Sequence, residues 1–341
     1  MIVPNGIVNI GNTCFMNTII QILCQLPEIN GFMETSPDLH SQAVEKPIFD
    51  QWIDIWKWIQ DPEVPQKIVP RGFLNAFVKV AQQKKQTIFS YGSQCDTIEF
   101  LQFFIDCLHE CLKRPMNITI NGECQTEIDK LAVKCYTSWK EAHENDYSIF
   151  KDLFNGISVS SIVSEDGHTT HSHMCEIFFT LDLSVSQGTT KYKSLEECLD
   201  VFTEAEVMEG ENAWYNDNTK TYENVRKQIL FWNLPTVLVF CLKRFSIDGT
   251  SKETHPIQFP LTLDMGKYVC GYNRTQHQYE LYGICNHFGN VYKGHYTNFV
   301  KTIEGNWFHC NDEIIHKIEN PAQLQSPHAY CLFYRKKNND V

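Results

Sequence analysis

The 341-residue chain holds 14 cysteines, yet nowhere do two of them form a Cys-x-x-Cys pair. Long apolar runs are missing too. The longest is "TVLVFCL" (236–242), about a third of what a bilayer helix needs. The amino terminus lacks a basic segment followed by a long apolar stretch, so no secretory signal is read. Positive charge is scarce: 29 Lys and Arg against 41 Asp and Glu give a net charge of −12. That balance argues against nucleic acid as a partner, because neutralising phosphates takes clustered basic side chains. It suits a basic protein partner, or it serves solubility alone. No repeat or low-complexity tract is present, and an apolar fraction of 43% with 21% charged residues is that of a globular protein.

The cysteines do not read as a disulfide scaffold. The chain is too long for a stapled mini-domain, and several thiols sit inside apolar runs: Cys24 in "IIQILCQL", Cys107 in "FFIDCLHECL", Cys241 in "VLVFCLKRF". Reduced, buried thiols in an intracellular protein are the expectation.

Periodicity divides the chain in two. Phe15, Ile19, Ile22 and Leu26 form a helical stripe ended by Pro27, with Thr13 placed to cap it. A second helix is predicted over 50–60, with Trp52, Ile55 and Trp58 or Ile59 on one face. The strongest runs over 96–112, opening on an Asp96-x-x-Glu99 box. Segment 113–150 reads only as mixed and surface-rich. After about residue 150 the texture turns to β, in "GISVSSIV", "CEIFFTLDLSV", "LPTVLVFCLKRFSI", "QYELYGICNHFG", "HYTNFVKT" and "AYCLFYRK". A helical segment over 194–215, opening at Ser194 with Glu197 three on, interrupts the strands. Helices first and strands later predict an α+β fold with a cleft between two lobes.

Cysteine chemistry needs a thiolate, a histidine and a polar group that fixes the ring. Cys14 lies at the predicted first position of its helix, where free N–H groups and the helix dipole favour a thiolate. His295 follows a glycine in "KGHYTNFV", and Asn311 or Asp312 in "WFHCNDEI" is the third candidate. Each has an ordinary alternative: a structural thiol, a solvated imidazole, turn chemistry.

Taken together, "GIVNIGNTCFMNTIIQIL" (6–23), "SQCDTIEFLQFFIDCLHE" (93–110), "LPTVLVFCLKRFS" (234–246) with "HPIQFPLTLDM" (255–265), "YELYGICNHFGNVYKGHYTNFVK" (279–301), "NWFHCNDEIIHKI" (306–318) and "AYCLFYRK" (329–336) resemble the ubiquitin-specific proteases in order and spacing. The resemblance covers nearly the whole chain. It implies a papain-like α+β hand forming one catalytic domain over 1–341: a helical thumb (1–115), a β palm (116–154 and 231–341) and a β fingers insertion (155–230). It implies a deubiquitinase that hydrolyses the bond after the ubiquitin C-terminal glycine by thiol chemistry. Cys14 falls on the nucleophile, His295 on the base and Asn311 on the third position, with Asp312 able to assist. Asn9 falls on the side-chain donor of the oxyanion hole. Gln94 and Asp96 match positions near the ubiquitin tail, Asp96 being readable as a helix cap, as a contact to tail amides or an arginine, or as both. Gly294 would let the tail backbone approach closely.

The implied partners are ubiquitin and ubiquitinated proteins, with no nucleic acid and no membrane, and the implied cofactor set is empty. Two rival readings stand beside this one: a protease for another ubiquitin-like modifier, and a catalytically idle ubiquitin-binding module. Many family members hold a zinc at the fingers tip through two Cys-x-x-Cys pairs. Here "NDNT" leaves Asn216 and Thr219 at two ligand places, and both are poor zinc ligands. No metal is expected, the rival being the cluster His168, His171, His173 and Cys175 in "HTTHSHMC".

Overall fold

The computed structural model describes residues 3–35, 42–61, 67–246, 248–275, 277–290 and 293–337. A short strand, β1 (Gly6–Ile7), leads into α1 (Cys14–Leu23), all ten of whose residues are buried. This helix runs through the middle of the protein with no solvent face. It stops three residues short of the predicted Leu26, and Pro27 opens α2 (Pro27–Glu34) from a first-turn position, where its missing N–H costs no bond. Thr13 stands at the start of α1 without capping it. Its hydroxyl instead accepts from Ile10 N (3.2 Å).

Around α1 pack α3 (Lys46–Gln60), α4 (Arg71–Gln83) and α5 (Thr97–Leu112), while β2 (Lys67–Ile68) pairs in parallel with β1. Trp52 is wholly buried, meeting Phe49 and Phe104 edge-on, each at 5.7 Å between centroids. On α3 it is Ile59 that turns inward, and Trp58 that faces solvent. Asp96 caps α5, its Oδ1 accepting from Ile98 N (2.7 Å) and Glu99 N (3.4 Å).

The stretch read as mixed holds two helices, α6 (Glu127–His143) and α7 (Ile149–Phe154). The first opens on a complete capping box between Thr126 and Asp129, with Asp in the place usually held by Glu.

Next come β3 (Gly156–Ser164), β4 (Thr170–Phe178), β5 (Leu181–Ser184), the small hairpin β6 (Ser186–Gln187) and β7 (Thr190–Lys191), and α8 (Leu195–Thr203). The helix predicted over 194–215 thus ends at Thr203. Beyond it lie β8 (Glu206–Met208), β9 (Trp214–Asn216), β10 (Thr221–Glu223) and β11 (Val225–Asn233). Strands β4, β3, β11 and β8 form one sheet in that order, and β9 pairs with β10 at its tip.

At that tip Glu223 Oε1 accepts from Asn216 Nδ2 (2.9 Å) and Thr219 Oγ1 (2.6 Å). Hydrogen bonds thus gather the hairpin at Asn216 and Thr219, the two positions that the resemblance sets at ligand places. The histidine cluster is dispersed. His168 is exposed, His171 leans on Trp214 (5.2 Å), His173 Nδ1 meets Ser161 Oγ (2.8 Å), and Cys175 faces Cys135 (3.3 Å between sulfurs).

The larger sheet is built from β12 (Val237–Lys243), β13 (Thr262–Asp264), β14 (Gln278–Gly289), β15 (Gly294–Lys301), β16 (Trp307–Asn311), β17 (Ile314–Ile318) and β18 (Ala329–Lys336). Its order is β17-β16-β15-β14-β18-β12-β5, with β13 added alongside β14. One face packs on the helices around α1, the other on α8 and the loops over 256–269. The architecture is the expected α+β hand. Lobe meets lobe along α1 and β15, where Asn298 Nδ2 donates to Thr18 O (3.1 Å).

Candidate active site

Three short structures bring the two ends of the chain together. The first is the turn before α1. Gly11 adopts φ +119° and Asn12 φ 58°, so the chain reverses through the left-handed region, which a glycine enters without strain. Asn9 Oδ1 accepts from Gly11 N and Thr13 N, both at 3.1 Å, and holds that turn closed. Cys14 then begins the helix, and its N–H, like those of any first turn, has no carbonyl one turn earlier to bond.

The second is the head of β15, which carries His295. The third is the hairpin between β16 and β17, which turns on Asp312 and Glu313, with Asp312 at φ 51°. Aspartate tolerates that conformation better than most residues do. Strand β1 is wedged against the hairpin: Ile7 N donates to Asp312 O (3.1 Å), and a methyl on Gly6 would lie 2.4 Å from Glu313 O.

His295 Nε2 donates to Asn311 Oδ1 at 2.7 Å. Its other ring nitrogen is left for Cys14, with which the ring is in hydrogen-bonding reach. That bond to sulfur pushes the His295 pKa up to about 9, with burial opposing it and Asn311 and the Cys14 and Asp312 charges adding to it. Asp312 is nearly buried. Its Oδ1 accepts from Asn17 Nδ2 (2.8 Å), its Oδ2 accepts from Asn9 Nδ2 (3.0 Å), and Oδ2 stands 3.8 Å from His295 Nε2. One carboxylate therefore faces the imidazole and also ties the hairpin to α1. Asn17 was not among the sequence candidates. It is a polar amide one turn after Cys14, but Thr18 and Gln21 share the same helix, so nothing in the sequence set it apart.

A cleft of about 310 Å³ opens beside Cys14, lined among others by Gln94, Asp96, Phe245, His287, Gly294 and Tyr296. Gln94 is exposed on its wall. Asp96 uses both oxygens: while Oδ1 caps α5, Oδ2 accepts from Tyr330 Oη (2.6 Å) and Tyr296 Oη (3.4 Å). The space above Gly294 is taken up by His287, whose Nε2 would lie 2.0 Å from an added methyl. All eight residues singled out from the sequence thus fall at the cleft or directly behind it. A sulfur, an imidazole and an amide in this geometry can perform nucleophilic acyl transfer.

Comparison with known proteins agrees. The model of the ubiquitin carboxyl-terminal hydrolase family matches residues 5–334. The Drosophila melanogaster ubiquitin carboxyl-terminal hydrolase Usp2 is 32% identical over 97% of this chain, and ubiquitin carboxyl-terminal hydrolase 2 of Homo sapiens is 29% identical over 96%. The match spans 34% of the fly protein and 54% of the human one. Among solved structures, the SAGA Ubp8/Sgf11/Sus1/Sgf73 DUB module bound to ubiquitin aldehyde aligns with a TM-score of 0.74 at 26% identity, covering 98% of this chain and 70% of that one. A match over almost the full length, joined to this fold and cleft, settles the assignment: the chain belongs to the ubiquitin carboxyl-terminal hydrolase family.

Proposed function

We propose that the chain is a cysteine-type deubiquitinase that hydrolyses peptide and isopeptide bonds after the C-terminal glycine of ubiquitin. The observation that carries this is the meeting of Cys14, His295 and Asn311 at one cleft, drawn from opposite ends of the sequence. In this reading the free nitrogen of His295 takes the Cys14 proton, and Sγ attacks the glycine carbonyl as its electron pair moves onto oxygen. The oxyanion accepts from the Cys14 N–H and from the second Nδ2–H of Asn9, the first being given to Asp312. The tetrahedral species collapses, the C–N bond breaks, and His295 protonates the departing amine. Water, deprotonated by His295, then attacks the thioester. The C–S bond breaks and the thiol is restored.

Asn311 orients the ring, and Asp312 supplies the negative charge that an asparagine lacks. Gln94 and Asp96 line the path of the ubiquitin tail. Residues 1–115 act as thumb, 116–154 and 231–341 as palm, and 155–230 as fingers of one catalytic domain, a division supported at its fingers boundary by the change from helix α7, ending at Phe154, to strand β3, opening at Gly156. Ubiquitin and ubiquitinated proteins are the partners, a reading supported by the ubiquitin aldehyde bound to the related module. Among the described residues no helix is long and apolar enough to cross a membrane. Fourteen free thiols suit an intracellular setting.

The decisive experiment is reaction with ubiquitin bearing a C-terminal electrophile, followed by mapping of the adduct. Modification at Cys14 alone, with Cys14→Ala abolishing turnover and keeping ubiquitin binding, is expected. Unchanged cleavage by Cys14→Ala would overturn the assignment.

A further inference from the structure

Most of the fourteen thiols are buried. Cys124 is exposed, and Cys175 and Cys270 reach the surface in part. Cys175 lies in β4, opposite Val159 of β3 in the sheet register. From the other side comes Cys135 of α6, fully buried, with its Sγ 3.3 Å from Cys175 Sγ. The two stand 40 residues apart in the chain and share one small apolar cluster with Ile157, Val159 and Trp232.

Helix α6 holds on by a thin seam. Of its 17 residues only Ala132, Cys135 and His143 are buried, and near its start Asp129 Oδ1 accepts from Tyr272 Oη. A helix with so few buried contacts opens locally at low cost. The Cys14–His295 chemistry uses neither Cys135 nor Cys175. Their sulfurs are already in contact, and closing by about 1.3 Å would bring them to disulfide length. The resolving thiol is thus in place before any oxidant arrives.

We propose that Cys135 and Cys175 are a reversible redox modification site, which a low-molecular-weight disulfide such as oxidised glutathione converts into a disulfide that staples α6 to β4. Cys175, the more exposed sulfur, attacks one sulfur of oxidised glutathione as its thiolate. The glutathione S–S bond breaks, and one glutathione leaves as a thiolate that takes up a proton. Cys135 then gives its proton to solvent and attacks Cys175 Sγ, and the second glutathione departs. The protein loses two electrons and two protons, and the small disulfide is reduced to two thiols. Burial, then the contact with Cys175, pushes the Cys135 thiol well up, so Cys135 is not the first attacker. Once Cys175 carries glutathione it no longer competes for negative charge, and that part of the pressure on Cys135 is gone. The new bond closes a loop of about 40 residues and removes the open states of α6.

The test uses the full chain carrying Cys14→Ala and Cys124→Ser, which takes the nucleophile and the exposed thiol out of the competition, in buffers running from reduced to oxidised glutathione. Trypsin cutting after Lys134, Lys140, Lys151 and Lys191 leaves Cys135 in peptide 135–140 and Cys175 in peptide 152–191, each with no second cysteine. In oxidised buffer the two peptides should appear joined, two hydrogens lighter than their sum, and dithiothreitol should part them. Amide hydrogen exchange along α6 should slow about tenfold or more in the linked protein. Adding Cys135→Ser should abolish both effects, and Cys175→Ser, at the more exposed position, serves as the same control should the buried variant fail to fold. Two free peptides in oxidised buffer, a glutathione that stays on Cys175, a link from Cys175 to Cys270, or a linked protein whose α6 exchanges as fast as the reduced one would each overturn the proposal.

Discussion

Replacing Asp312 by asparagine removes one charge and almost no volume, and because both its oxygens accept amide N–H groups it also costs one of the bonds from Asn9 or Asn17. In the native protein Asp312 Oδ2 stands 3.8 Å from His295 Nε2. Unit charges at that separation attract by about 1 kcal/mol in water and about 4 kcal/mol at an effective dielectric of 20. The His295 side chain is 40% exposed, so solvent screening puts the value near the low end. A figure of about 1.5 kcal/mol corresponds to roughly one pKa unit on the imidazole.

The sign follows from the direction of the shift. His295 is raised from 6.5 to about 9, chiefly by its bond to Cys14. The imidazolium therefore exists at neutral pH and is lost as pH climbs through about 9. Its contribution to stability has the same form: fully present below 6.5 and gone above about 9. Rate–pH profiles on a ubiquitin C-terminal amide should show an alkaline limb near 9 in the wild type. Asp312→Asn should move that limb down by about one unit and cut neutral-pH kcat about tenfold. A limb that stays in place, with a rate within about twofold of wild type, would refute the reasoning.

Three further outcomes are expected. Asn9→Ala should lower kcat about a hundredfold while ubiquitin binding changes little, as for other oxyanion donors; an unaltered single-turnover rate would remove Asn9 from that role. Gly6→Ala drives a methyl to 2.4 Å from Glu313 O, so chemical denaturation should show a loss of about 1–3 kcal/mol together with reduced activity. Glu223→Ala should speed hydrogen exchange over 214–223 with little effect on turnover of a minimal substrate, whereas treatment of the wild type with a chelator should leave both unchanged. Slower turnover after chelation would show that the fingers tip depends on metal after all.

How far the sequence could be read depends on which contacts are local. The stripe of α1 and the apolar breadth of α5 follow from helical period, and the large-sheet strands from β-branched and aromatic texture. Helix α6 escaped notice because it is polar along most of its length and because its capping box uses Asp129 in place of a glutamate. The end of the helix at Thr203 was missed because the acidic run that follows has no glycine or proline until Gly210. Cys14, His295, Asn311 and Asp312 were found through motif order. What no motif disclosed was the traffic among them. The bonds from Asn9 and Asn17 to Asp312 cross almost the whole chain, and a bond between residues so distant leaves no trace in local pattern.

The placement of α1 bears on how this protein is made. A ribosome releases the thiol-bearing helix well before the strand that buries it, and all ten of its residues are destined for burial. Strand β15, which it packs against, and the turn holding Asp312 emerge only after the intervening helices and most of the strands. Until then the nascent chain carries a sticky segment that invites chaperones, and a sulfur with no imidazole to take its proton. The cleft is complete only once translation has passed β17, so a polypeptide that stops short of it lacks the amide and the carboxylate that face His295.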